Sequence, residues 1–152
     1  MNSSFQEKNL WLELTATVLI FSYYLEQLLG FTRFQLADST VIISLLFKVV
    51  MFSVILMSVS FAILTIINYK DAKKSLDERE ALIELRGSYY SNWILKVGVV
   101  IAVAQYALES NAWAIGLHQN IPFLPLHILV LAFLLSEFIS CVIQVRLFRK
   151  GV

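Results

Sequence analysis

The sequence predicts an all-α transmembrane bundle of four spanning helices, with both termini cytoplasmic. Three observations carry that expectation. Four apolar runs approach or exceed the length needed to cross a bilayer. Only 15% of the 152 residues are charged, against 59% hydrophobic, whereas an ordinary soluble domain carries about a quarter charged residues. A chain this oily cannot cover its own core with polar surface, so much of it must face lipid. Lys and Arg, finally, crowd onto alternate connections between the runs.

A spanning helix needs about 20 mostly apolar residues, because the hydrocarbon core is about 30 Å thick and each residue rises about 1.5 Å. The runs cover residues 10–29, 41–67, 93–113 and 126–148. The second is the longest, so it tilts or extends past the bilayer. The fourth follows Pro122 and Pro125, which suit the first turn of a helix. No stretch alternates apolar and polar residues with period two, which argues against strands. The first run is not read as a cleavable signal: it is too long, carries Glu13 near its start and has no small-residue cleavage site behind it. A single integral membrane domain over 1–152 is expected.

Orientation follows from the basic residues. The connection 68–92 holds Lys70, Lys73, Lys74, Arg79 and Arg86. Lys8 precedes the first run, and Arg146, Arg149 and Lys150 end the fourth. Arg33 stands alone on the other side. The expected location is therefore the cytoplasmic (inner) membrane, with Trp11 and Trp93 at the inner boundary and Trp113 at the outer one. A net charge of +1 provides no electrostatic footprint for nucleic acid.

The connection 68–92 is the one sizeable polar segment. Ser75 and Glu78 have capping-box spacing, and a short helix from there to Arg86 would put Leu76, Leu82 and Ile83 on one side and Glu80 and Glu84 on an exposed ridge. Gly87 is expected to end or bend that helix. Acids nearly balance bases here, so a polybasic lipid-binding patch is not expected. The segment reads as a solvated linker or as a binding element built on Asp77, Glu78, Arg79, Glu80 and Arg86.

Ionisable groups inside hydrocarbon are costly, and they usually pair or face water. Glu13, Lys96 and Arg146 lie close enough to the cytoplasmic boundary to snorkel. Glu137 does not: it stands mid-span between Ser136 and Ser140. It is either protonated or matched by a cation, and Lys48 is the nearest in depth, with Glu26 and Glu109 competing for it. The functional reading is a proton- or ion-handling site, or a polar-ligand pocket, made of Glu137, Lys48, Glu109 and Glu26. The structural reading is an ion pair or interhelical hydrogen bond that sets helix register. Gln105 and Gln144 are further polar points in spans, and Tyr106 reads as packing. Gly98 and Ala102 form the best small-residue pair for close helix contact.

The first and third runs share a pattern. Glu13 and Glu26 are spaced as Lys96 and Glu109 are, and Tyr23-x-Leu25-Glu26 recurs as Tyr106-x-Leu108-Glu109. The match stops there, since Val54 occupies the position equivalent to Glu137. Parallel duplication and chance both remain open.

Catalytic signatures are absent. There is no Gly-rich phosphate loop, no HExxH pair and no GxSxG elbow. Cys141 is the lone cysteine, which excludes an intrachain dithiol mechanism. His118 and His127 are badly placed to face each other as axial haem ligands, and no cofactor or metal is expected.

Asp77-Glu78-Arg79-Glu80, then Ile83, Arg86 and Tyr89-Tyr90 ahead of a span, form one distinctive pattern. Ser136-Glu137, Gln144 and the exit Leu147-Phe148-Arg149-Lys150-Gly151 form another. Together they resemble small bacterial and archaeal four-span membrane proteins grouped only as a domain of unknown function. Phe148 stands where that pattern usually has tyrosine. The resemblance implies four helices, an acidic-basic cytoplasmic loop and an intramembrane Glu; it implies no activity.

The leading expectation is a non-enzymatic homo-oligomeric membrane component that binds a cytoplasmic or membrane protein partner through residues 77–86. The rival is a small proton- or ion-coupled transporter or channel using Glu137 and Lys48. Third comes an enzyme acting on a lipid or quinone.

Overall fold

The computed structural model of the chain describes residues 5–69, 77–109 and 121–150. All regular structure among them is helical: α1 (Phe5–Gly30), α2 (Arg33–Ala37), α3 (Ser39–Ile67), α4 (Glu78–Glu109) and α5 (Leu124–Lys150). Three of these, α3, α4 and α5, are long and apolar enough to cross a membrane. The remaining long helix, α1, carries Glu13, Glu26, Gln27 and the Tyr23-Tyr24 pair, which dilute its apolar character. Lys70, Lys73, Lys74, Ser75, Leu76, Trp113 and His118 lie outside the described residues.

Local chemistry sets the helix ends. Thr32 and Gln35 form a reciprocal capping box at α2: Gln35 N–H donates to Thr32 Oγ1, and Thr32 N–H donates to Gln35 Oε1. Asp38 caps α3 by accepting from the Thr40 N–H at 2.8 Å. The acidic start of α4 works similarly, two residues later than the Ser75 box the sequence suggests. Asp77 accepts the Glu78 N–H at 2.8 Å, and Glu80 reaches back to the Asp77 N–H at 3.4 Å.

The linker expected over 68–92 is, from Glu78 onward, already part of α4. Gly87 does not end it: the helix runs on to Glu109. The residue is buried on the side that meets α5, where an added Cβ would stand 2.5 Å from Gln144 Cγ. Its role is close approach, and one glycine's helix penalty of about 1 kcal/mol is offset by that packing.

The helices lie in a row rather than a closed bundle. The tightest packing is α4 on α5; α1 packs on both α5 and α3, while α3 and α4 meet only marginally. The row therefore runs α3, α1, α5, α4, with α5 the most buried of the three apolar helices. Between α1, α3 and α5 the core is Ile20, Tyr24, Leu45, Val49 and Leu134. Between α4 and α5 the seam is Ile83, Gly87, Gly98 and Ala102, recurring at helical spacing. A Cβ at Gly98 would collide with that of Ala132, so the two backbones approach as small residues permit.

One end of the row is marked by bonds between helix termini. Lys8 Nζ donates to Asn68 Oδ1 at 2.9 Å, joining the start of α1 to the cap of α3. Arg79 Nη2 donates to the Phe148 carbonyl at 3.4 Å, and the Arg149 guanidinium lies 5.0 Å from the Trp11 ring centre. Neighbouring helices in the row thus run antiparallel.

The seam makes a direct prediction. Gly98→Leu should destabilise the folded protein by about 1–3 kcal/mol, whereas Gly30→Ala, whose added methyl meets nothing within 4 Å, should not. Thermal unfolding of both in detergent micelles checks this; a parent-like melt for Gly98→Leu would refute the close contact.

Candidate functional site

At the end of the row marked by the Lys8, Arg79 and Arg149 contacts, α1, α4 and α5 enclose a polar cavity of about 380 Å³. Four carboxylates line it: Glu13 from α1, Glu80 and Glu84 from α4, and Glu137 from α5. Asn9, Ser88, Ser140 and Gln144 supply amide and hydroxyl groups, and no Lys or Arg is among the described lining residues. Helix periodicity explains the convergence. Glu80, Glu84 and Ser88 recur every fourth residue on α4, as do Asn9 and Glu13 on α1, while Glu137, Ser140, Cys141 and Gln144 trace one face of α5.

Two internal bonds organise the walls. Asn9 Nδ2 donates to Glu13 Oε1 at 2.6 Å. Gln144 Nε2 donates to Ser140 Oγ at 3.0 Å, its side chain lying across the space that Gly87 leaves open. Glu13 is within electrostatic reach of both Glu84 and Glu137. Ionised together, such carboxylates repel, and the repulsion is relieved by a proton or by a bound cation.

Glu137 also borders a second space. An apolar groove of about 400 Å³ between α1, α3 and α5 has Glu137, Thr17 and Ser53 as its few polar members. The exposed Glu137 side chain thus stands between the polar cavity and the apolar groove.

The structure regroups the residues that the sequence singles out. Glu137 is joined by Glu80, from the expected partner-binding segment, and by Glu13 and Glu84, which looked peripheral. Lys48 and Glu26 are exposed on α3 and α1, and among the described residues no ion pair links either to Glu137. Glu109 ends α4, and its side chain lies outside the described residues. Of the segment 77–86, Asp77 is engaged in capping, Arg79 bonds the end of α5, Glu78 and Arg86 are exposed, and Arg86 points away from the acidic cavity.

The chain matches no family model, no curated protein and no solved structure. The geometry is therefore the basis for any functional reading.

Sequence reasoning missed a second polar contact. Tyr24 Oη and His127 Nδ1 are 2.6 Å apart, both side chains essentially buried, tying α1 to the first turns of α5. His127 was weighed only as a haem or metal ligand. Among the described residues no group of three or more His, Cys, Asp or Glu could hold a metal ion. The available signal was depth: Tyr24 near the end of α1 and His127 near the start of the antiparallel α5 lie comparably far from the same side.

Tyr24→Phe should cost about 1–3 kcal/mol, since it strands a buried imidazole nitrogen. Tyr24→Phe with His127→Leu should recover part of that loss. Denaturation of the single and double variants in detergent measures the coupling, and strictly additive effects would show that the contact contributes nothing.

Proposed function

We propose that this chain is a cation-handling integral membrane protein, a small transporter or channel in which Glu137 binds a proton or cation entering through the acidic cavity. The observation that carries the reading is that Glu13, Glu80, Glu84 and Glu137 line one 380 Å³ cavity with no basic residue among its described lining; they do not cluster as a metal-holding group, so a proton is the favoured cation. Of the four only Glu137 lies well inside an apolar span, where a carboxylate is expensive and often marks an ion or proton pathway. Glu137 borders both the polar cavity and an apolar groove, which supports it as the inner limit of such a path.

The reading includes four spans in the inner membrane with both termini cytoplasmic. Helix α1, with 26 residues, is about 39 Å long, enough to cross. Its antiparallel packing beside α3 and α5 supports its being the fourth span. The basic residues Lys8, Arg79, Arg86, Arg146, Arg149 and Lys150 support a cytoplasmic cavity mouth. The free edges at α3 and α4 support a homo-oligomer that completes the enclosure. The resemblance to the four-span family agrees with this topology and adds no activity.

A second reading retains a protein partner on residues 77–86. Its support is Leu82, 57% exposed near the start of α4 beside the free carboxylate of Glu78. Burial of Leu82 under a partner would account for an apolar side chain at that level.

Two experiments test the main reading. Reconstituted in liposomes under proton, sodium or potassium gradients, the protein should pass a cation current that Glu137→Gln lowers at least about tenfold. Lys48→Met and Glu26→Gln should leave the current intact, because neither residue lines the cavity. A parent protein silent under every gradient, or a Glu137→Gln variant as active as the parent, would defeat the proposal. Cysteine labelling of tags at both ends in intact cells should find both inaccessible from outside; accessibility of either would reverse the topology.

A further inference from the structure

The two faces of α4 carry opposite charge. From Glu84 to Arg86 the helix turns about 200°, so the acids face the cavity shared with α1 while Arg86 faces the far side of the α4–α5 seam. There a groove of about 590 Å³ is lined by Arg86 from α4 and by Arg146 and Lys150 from α5. Tyr89 and Tyr90 join them, and among the described residues no carboxylate is present in the lining. The near balance of charge along residues 77–86 thus conceals a sorted arrangement.

The same face continues into the bilayer region as an apolar groove of about 450 Å³ on the same two helices. Trp93, Val97 and Ile101 form its α4 wall, Leu131 and Leu135 its α5 wall, and the Gly98–Ala132 approach its floor. At about 1.5 Å per residue, Val97 lies roughly 16 Å along α4 from Arg86, close to half the thickness of the hydrocarbon core.

We propose that these two grooves, aligned along one face of α4 and α5, together form a binding site for one anionic phospholipid. The phosphodiester sits among Arg86, Arg146 and Lys150, and an acyl chain lies along the groove past Trp93 and Val97. Charge complementarity selects this occupant. Three cations without a carboxylate call for an anion, and guanidinium groups suit phosphate oxygens particularly well. An apolar extension of leaflet depth calls for a hydrocarbon tail on the same molecule. Tyr89 and Tyr90, with rings 5.6 Å apart edge to face, stand at the level where amphipathic rings favour the headgroup boundary. Basic clefts between spanning helices on the cytoplasmic side are suited to acidic headgroups. The proposal rests on membrane insertion as proposed above, but not on cation transport.

Trp93 is a built-in reporter. With Trp11→Phe and Trp113→Phe it becomes the sole tryptophan of the full chain. The protein is placed in phosphatidylcholine nanodiscs doped with brominated phosphatidylglycerol or, separately, brominated phosphatidylcholine. Quenching of Trp93 by the anionic lipid should reach half-maximum at about one-tenth the mole fraction needed for the neutral one. Arg86→Gln with Arg146→Gln should bring the two curves together, while Arg86→Lys with Arg146→Lys should retain part of the gap. Helix content by circular dichroism confirms that each variant is folded.

Equal quenching by the two lipids in the parent would overturn the proposal, leaving Trp93 beside ordinary boundary lipid. So would a gap unchanged by charge removal. Relief of quenching by millimolar inorganic phosphate would reassign the basic groove to a free anion. Phe47→Trp, at an exposed position on α3, with Trp11, Trp93 and Trp113 all changed to Phe, separates the remaining failures. If position 47 is quenched and Trp93 is not, something other than lipid fills the groove. If neither is quenched, the membrane reading falls with the proposal.

Discussion

Much of this molecule follows from how closely two helix backbones approach. Lipid tails are as apolar as leucine, so spanning helices gain little from burying oily side chains against one another, and contact must come from fit. On α4 the fit is made by missing atoms. Gly98 admits Ala132, and Gly87 admits the side chain of Gln144. With α4 drawn onto α5 at these two levels, the space on one side of the seam becomes the acidic cavity and the space on the other becomes the basic and apolar groove. A bulkier seam would widen both and blur the boundary between them.

The charge pattern depends on this geometry. A helix converts a mixed string of acids and bases into separate stripes whenever their spacing follows its turn. Glu80, Glu84 and Ser88 keep one side; Arg86, Tyr89, Tyr90 and Trp93 keep the other. Helix α5 is sorted in the same sense, with Glu137, Ser140 and Gln144 toward the acids and Ile143, Arg146 and Lys150 toward the bases. Two adjacent helices with matched polarity give the seam an acidic flank and a basic flank although the whole chain carries a charge of only +1.

Depth was legible in the sequence, and rotation was not. The all-helical architecture could be read from run length, as could the small-residue seam at Gly98 and Ala102 and the position of Glu137 within its span. Those features depend on counting along one helix. Which side of a helix meets which neighbour depends on the order of helices in the row, and no single run encodes that order. Lys48 and Glu137 looked like partners because their depths nearly match, yet Lys48 faces outward from α3. Glu13 looked peripheral because it was judged by its distance from the membrane surface; Glu84 was put on an exposed ridge and is exposed, yet it also lines the cavity that forms where α1 and α4 pack on α5. The start of α4 was displaced because Ser75 and Asp77 both head plausible capping sequences. The stretch around Gly87 read as a break because glycine is a poor helix former in isolation.

The position of α5 bears on how the molecule is made. It is the helix against which both α1 and α4 pack, and it lies closest to the C-terminal side of all five. A ribosome emits the periphery first: α1 and α3 leave it able to pair only with each other, and α4 has no extensive neighbour until α5 follows. The assembly pathway therefore has a keystone that arrives last, joining α4 to a pair, α1 and α3, already able to pack together.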